Sequence, residues 1–336
     1  MAQVIESSSV FHQAHLKRIH QEIAPRSFYS KASETFLFFL NAGSLTRNSM
    51  SAGTIWKGAE AAARIAPALG GLVIAGGVMA FIRGSELTTA ALSGLRTAYN
   101  RANWEGGVFQ SIDTAFSAAY TIAGAGMITA QSATLASAMT AAAAGTMMLT
   151  GGVLGLYGGL SIYAGYGLAI HYLFRHNLDK LLESPADEAE KIASAMQWIL
   201  DQVGSGKNEI ELNKKWDQFA SRTSEACCRY ARHRITPDFI EKVKSGDAKA
   251  LRHAKWIIQE VKRANGKQIA VNWLLMVISV VGLAGIVLGM LFASGPLAPL
   301  LFAICAGLWF LIDTRKLKEK FGDFFCGASQ IPRPAI

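Results

Sequence analysis

The sequence predicts an all-α, multi-pass integral membrane protein, with two hydrophobic helical hairpins and a small helical bundle between them. Three observations carry that expectation. Gln268–Ile312 is a run of 45 residues without a charge. Thr114–Phe174 is a run of 61 residues in which His171 is the only ionisable side chain besides tyrosines. Charged residues make up 17% of the chain, against roughly 25% in soluble domains, and they are gathered into blocks.

The C-terminal run fixes the scheme. A helix rises about 1.5 Å per residue, so about 20 apolar residues cross roughly 30 Å of hydrocarbon. The run is twice that and carries its own break at Ala293–Pro299, where Gly295, Pro296 and Pro299 fall together. Proline removes an amide donor and biases the preceding residue away from helix, while glycine permits the reversal. Two membrane helices follow, about Ile269–Phe292 and Leu297–Ile312, joined by a tight turn. Lys262, Arg263 and Lys267 precede the run, and Arg315, Lys316, Lys318 and Lys320 follow it. The turn has no basic residue, so both outer ends belong on one membrane face.

In chain order, residues 1–64 read as an amphipathic N-terminal region. Ser9 caps a helix carrying Val10, Leu16, Ile19 and Ile23, and Pro25 ends it. Phe36–Leu40 is an apolar cluster too short to span. Residues 65–82 are uncharged between Arg64 and Arg83, a possible span weakened by Pro67, Gly70, Gly71, Gly76 and Gly77. Residues 83–113 are amphipathic. Residues 114–174 are rich in alanine and glycine and fit two helices, about Ala115–Ala142 and Met147–Leu173, reversing near Gly145 or Gly151–Gly152. Gly151, Gly155 and Gly159 stand four apart, a ridge on which another helix packs closely.

Residues 175–267 form a polar helical module with clear punctuation. Ser184-Pro185 opens a helix with Ile192, Met196, Ile199 and Val203 on one face, closed by Gly204. Leu212, Trp216, Phe219 and Tyr230 mark the next. Thr236-Pro237 opens a short third, and Asp247 caps a fourth that continues past Gly266 toward the membrane. Charge is lopsided: Arg222–Lys267 carries 12 basic and 5 acidic residues, Arg175–Ser221 only 6 and 9. Arg229, Arg232, Arg234, Lys242, Lys244, Arg252 and Lys255 therefore offer a basic surface, suited to an acidic protein partner or to anionic membrane lipids. Residues 313–336 read as an interfacial segment and a proline-containing tail.

The chemistry-bearing patterns are thin. Gly204-Ser205-Gly206-Lys207 resembles a phosphate loop, but Asp201 and Asn208 occupy positions that such a loop gives to Gly and Ser/Thr, so it reads as a turn. Cys227, Cys228 and His233 lack the spacing and fourth ligand of a zinc site. His171, near Arg175 and His176, reads as a solvated interfacial residue. No carboxylate lies inside an expected span, and no catalytic or metal-binding constellation is evident, so neither enzyme activity nor a cofactor is expected. The formal charge of +9 is explained by topology and lipid headgroups rather than by nucleic acid. Met1–Ser9 lacks the basic and apolar regions of a Sec signal peptide.

The bilobed run Gln268–Ile312, with its Gly-Pro turn, basic flanks and lack of a signal peptide, resembles the inclusion membrane proteins of chlamydiae. That resemblance implies export by a type III apparatus, insertion in the host vacuole membrane, and soluble parts that face host cytosol and recruit host proteins. Two further classes fit the sequence: a pore-forming translocator, favoured by the Ala/Gly-rich hairpin, and a bacterial inner-membrane protein of transport or assembly type. Either class allows homo-oligomers.

Overall fold

A computed structural model describes residues 59–136, 139–204, 209–291, 300–301, 303–305, 307–308 and 315–328. The expectations for residues 1–58 and for the turn at Gly295, Pro296 and Pro299 lie outside the described residues. All secondary structure among the described residues is helical. The named helices are α1 (Ala59–Asn100), α2 (Trp104–Leu135), α3 (Met139–Leu182), α4 (Glu188–Val203), α5 (Glu209–Arg222), α6 (Glu225–Arg234), α7 (Pro237–Lys244), α8 (Ala248–Leu291) and α9 (Arg315–Cys326).

Two helices, α1 and α3, are far longer than expected from the sequence. The candidate span 65–82 is one part of α1, which runs 42 residues through Pro67. α3 and α8 have 44 residues each, about 66 Å at helical rise.

Small residues explain how α1, α2 and α3 come together. On α3, Gly145, Gly152 and Gly159 stand seven apart, and they meet Ala130, Ala123 and Phe116 of α2, also seven apart, in one antiparallel register. A Cβ at Gly145 or Gly152 would collide with the α2 backbone itself. On α1, a Cβ at Gly84 would likewise strike the Thr121 backbone and one at Gly77 the Met127 and Ile128 side chains, and buried Ala91 and Ala98 continue the spacing. A period of seven keeps one face of each helix toward its neighbour, and small side chains let the backbones approach.

This packing corrects the expected reversal. The chain turns between Leu135 and Met139, not at Gly145 or Gly151–Gly152, because glycine there serves close helix approach rather than a turn.

α3 and α8 form a second antiparallel seam. Tyr157, Leu160, Ala164, Gly167, His171, Phe174 and Leu178 alternate at spacings of three and four along α3. Val261, Asn265, Gln268, Asn272, Leu275, Ser279, Gly282 and Ile286 do the same along α8. Large meets small across it: a Cβ at Gly282 would strike the Tyr157 ring, and one at Gly167 the Asn272 amide. The described residues of 300–308 are helical and bring Cys305 against Ile278, whose carbonyl accepts from the Cys305 thiol at 3.5 Å.

The polar module is built onto these long helices rather than tethered to them. Its core takes Phe174 and Leu178 from α3 and Ala254, Ile257, Ile258 and Val261 from α8. Around them pack Met196 and Ile199 of α4, Trp216 and Phe219 of α5, Cys227 and Cys228 of α6, and Val243 of α7.

Two helix starts differ from the sequence reading. α4 begins at Glu188 with Asp187 in the cap position, three residues later than a Ser184 cap implies, because α3 runs to Leu182 and residues 183–187 are needed for the reversal. The expected single helix through Trp216 and Tyr230 is two, α5 and α6. Ser224 separates them by accepting the Cys227 amide at 3.1 Å. Thr236 caps α7 with Pro237 in its first turn, and the Asp247 carboxylate accepts from Lys249 and Ala250 at the start of α8.

Candidate functional site

The densest polar chemistry lies where the long helices enter the bundle, in a collar built from five elements. The α1–α2 turn begins it. Ala102 adopts a left-handed backbone at φ 49°, and Asn103 Oδ1 accepts the Gly106 amide at 3.1 Å, capping α2. α5 grips this turn. Arg101 donates to Asp217 at 2.5 Å, Gln218 Nε2 donates to Asn103 Oδ1 at 3.2 Å, and Arg222 forks onto both oxygens of Glu105. The forked pair is largely buried, which makes it a stronger tie than a surface pair of the same geometry.

The Arg222–Thr223 backbone is in turn fastened to α8. Asn265 Nδ2 donates to the Arg222 carbonyl at 3.0 Å, and Gln268 Nε2 to that of Thr223 at 2.9 Å. Around the same level, Lys262 of α8 and Arg175 of α3 share Asp179, Arg263 pairs with Glu260, and Lys267 pairs with Asp323 of α9. Arg101, Arg175, Arg222, Lys262, Arg263 and Lys267 are therefore each matched by an acid, and the collar is a fastener rather than a free cationic ring.

Just below the collar, the α3–α8 seam turns polar over three layers. Asn265, His171 and Asn272 are all buried, and Asn265 Oδ1, His171 Nδ1 and Asn272 Oδ1 make no hydrogen bond among the described residues. His171 is thus an interior residue of α3, not the solvated one that its neighbours Arg175 and His176 implied; it falls on the seam face, four residues beyond Gly167. Polar groups at such positions weaken a seam but tie it to one register.

The seven basic residues singled out from sequence do not form one uncommitted surface. Arg229 pairs with Glu225 and Lys255 with Glu188. The Arg232 guanidinium lies 5.5 Å from the Trp216 ring centre, and Arg234 stands 6.0 Å from that of Tyr230. Arg252 Nε donates to the Ala248 carbonyl, while Lys242 and Lys244 are exposed at the end of α7. Beside them, Tyr230, Phe239, His253 and Trp256 form an aromatic cluster, with Tyr230 Oη 2.9 Å from His253 Nε2. Of the glycine ridge, Gly155 and Gly159 meet Ala119 and Phe116, while Gly151 faces open space.

No group of three His, Cys, Asp or Glu capable of holding a metal occurs among the described residues. Cys227 and Cys228 are buried in the bundle core. Burial pushes the Cys227 thiol up to about 12 and raises Cys228 as well, so neither is a nucleophile at neutral pH.

Fold and site define an all-helical protein in which two helices, Thr140–Leu182 and Ala248–Leu288, are long and apolar enough to cross a membrane. No family model, curated protein or solved structure matches the chain. The collar was not found from sequence, because its main pairs join residues more than 100 positions apart. The one local signal was the Arg101–Glu105 cluster around a break between two helical patterns.

Proposed function

We propose that the chain is a non-enzymatic, multi-pass membrane protein that displays its helical bundle to a protein partner. In this reading it is a secreted bacterial protein seated in a host vacuole membrane, with the bundle in host cytosol. The observation that carries the membrane part is exposure of apolar helix. Only 28% of the most apolar window of α3, and 44% of that of α8, is buried within the chain. The core helix of a soluble protein is mostly buried, and an exposed apolar surface of this extent calls for lipid. The display part rests on α8, which passes without a break from the bundle core into its uncharged length, so the bundle is held rigidly at one end of the long helices.

The test is a split-reporter peptide inserted after Ser205 in the full chain, with the complementing half placed in host cytosol or in bacterial cytoplasm. Signal from host cytosol, with the chain retained in carbonate-washed membranes, supports the proposal. Signal from bacterial cytoplasm alone removes the secreted reading, and release by carbonate removes the anchor.

A second reading, a pore-forming translocator, is favoured by one feature of α1. Glu86, Thr89, Ser93, Arg96 and Asn100 are exposed along one face of the helix, beside α2, which is uncharged from Thr114 to Leu135. A charged stripe facing hydrocarbon costs several kcal/mol per charge, whereas one facing a water-filled lumen does not. Leakage of a small dye from liposomes holding the protein, reduced by Glu86→Leu with Arg96→Leu, would favour this reading over simple display.

A further inference from the structure

Among the described residues, six of the seven exposed aromatic side chains, all but Phe81 of α1, gather at one height. Trp273 of α8 donates its indole N–H to the Tyr172 hydroxyl of α3 at 3.1 Å, and the two are 50% and 49% exposed. Tyr99 and Trp104, 80% and 78% exposed, flank the α1–α2 turn that Arg101 and Arg222 hold in the collar. Phe324 and Phe325 of α9 are 83% and 62% exposed. The next two positions outward from the rings are pinned: Asp323 pairs with Lys267, and the Cys326 carbonyl accepts from Arg263 Nε. Since Asn265 holds the Arg222 carbonyl, all six rings fall level with the stretch of α8 from Arg263 to Trp273, about 15 Å of helix.

On α3 and α8 this is also the height at which charge ends, whereas α1 carries Arg83, Glu86 and Arg96 and α2 carries Asp113 beyond it. Toward the bundle stand the paired acids and bases of the collar; in the other direction α8 has no charge from Gln268 to Leu291. From Trp273 to the end of α8 is about 27 Å, close to the roughly 30 Å of a hydrocarbon core.

We propose that these six rings are a girdle at the bundle-side headgroup layer of a lipid bilayer, with α9 lying along that surface. Tyr and Trp have an apolar body and a polar edge, which suits the boundary between hydrocarbon and water. The α9 helix presents Phe324 and Phe325 away from the ion pair and carbonyl contact that fix it to α8, as a surface-lying amphipathic helix does. The occupant is lipid rather than a second copy because the rings stand on five different helices at one height and continue directly into the exposed apolar lengths of α3 and α8.

The proposal rests on the membrane reading, and the test separates the two. The full chain, reconstituted in phosphatidylcholine vesicles, carries a single tryptophan at 104, 273 or 256, the others replaced by phenylalanine. Nitroxide lipids labelled near the headgroup or near the chain end quench its fluorescence. The girdle predicts greater loss from the headgroup label at Trp104 and Trp273, and little loss from either label at Trp256 in the bundle. Stronger quenching from the chain-end label at Trp104 or Trp273 overturns the girdle while leaving the membrane reading intact. Quenching at Trp273 but not at Trp104, with disulfide-linked dimers from Trp104→Cys, gives that face to a second copy and also overturns it. No quenching at any position removes the membrane reading. Should the tryptophan replacements fail to fold, a nitroxide on Phe324→Cys, read by collision with oxygen and with a nickel chelate, reports the same depth; nickel-chelate accessibility equal to that of an exposed bundle site overturns the girdle.

Discussion

Gly152 and Gly151 are neighbours of the same residue type on the same helix, and only their surroundings separate them. A Cβ at Gly152 meets the Ala123 backbone, which cannot rotate away, whereas one at Gly151 meets open space. Gly152→Ala should therefore lower thermal stability in detergent by the equivalent of about 1–3 kcal/mol, the usual range for overpacking. Gly151→Ala should leave stability level or slightly raised, since alanine is the better helix former. Equal losses from both would mean that α2 and α3 are not in this register. The thiols make a similar distinction. With Cys227, Cys228 and Cys305 buried and Cys326 partly exposed, iodoacetamide at pH 8 should modify Cys326 first, with peptide mass spectrometry as the readout. Modification of Cys227 at the same rate would place it outside the bundle core.

His253 gives the bundle a pH dependence whose sign follows from its surroundings. Burial against Tyr230, Phe239 and Trp256, with Arg234 nearby, lowers its pKa from the ordinary 6.5. The unfolded chain then binds the proton more readily than the folded one, so stability falls as pH drops below about 6.5. His253→Gln should remove part of that slope between pH 7 and 5 in thermal melts. A slope unchanged by the substitution would assign it to other groups.

At the scale of helices, the collar decides whether bundle and long helices behave as one body. Arg222 and Glu105 are both largely buried, so removing one partner strands the other charge. Arg222→Ala and Glu105→Ala should each cost on the order of 1–3 kcal/mol, and the double variant clearly less than the sum. Additive losses in a double-mutant cycle would show that the pair is not coupled. Sequence reading reached these elements unevenly, for physical reasons. The caps at Thr236 and Asp247 are local chemistry and were legible as such. The expected α2–α3 reversal is misplaced because glycine reads as a turn residue, and the expected packing ridge takes glycines four apart. The spacing that matters is seven, shared by Gly145, Gly152 and Gly159 and their partners Ala130, Ala123 and Phe116. The α3–α8 seam was hidden by its own polar layers. His171 reads from sequence as a solvated interfacial residue, and no local pattern marks Asn265 and Asn272 as its buried companions.

For the whole molecule, the antiparallel order of the long helices fixes which ends share a side. α1 rises to the collar and α2 leaves it, α3 returns to the bundle, and α8 leaves again; residues 300–308 come back beside Ile278. The α2–α3 reversal therefore lies at the end opposite the bundle. At about 66 Å, α3 is more than long enough to carry that separation across roughly 30 Å of hydrocarbon. In a cysteine-free background, Thr140→Cys reports the reversal end and Lys180→Cys the bundle end, both positions being exposed on α3. Ser294→Cys reports the C-terminal turn expected from sequence. In sealed vesicles, an impermeant thiol reagent should label Thr140→Cys and Ser294→Cys from one side and Lys180→Cys only from the other. The absence of charge near either reversal, against the paired charges of the collar, gives the same orientation from the positive-inside rule. Labelling of Thr140→Cys and Lys180→Cys from a single side would mean that α3 does not cross. The bundle would then sit on the membrane rather than stand out from it.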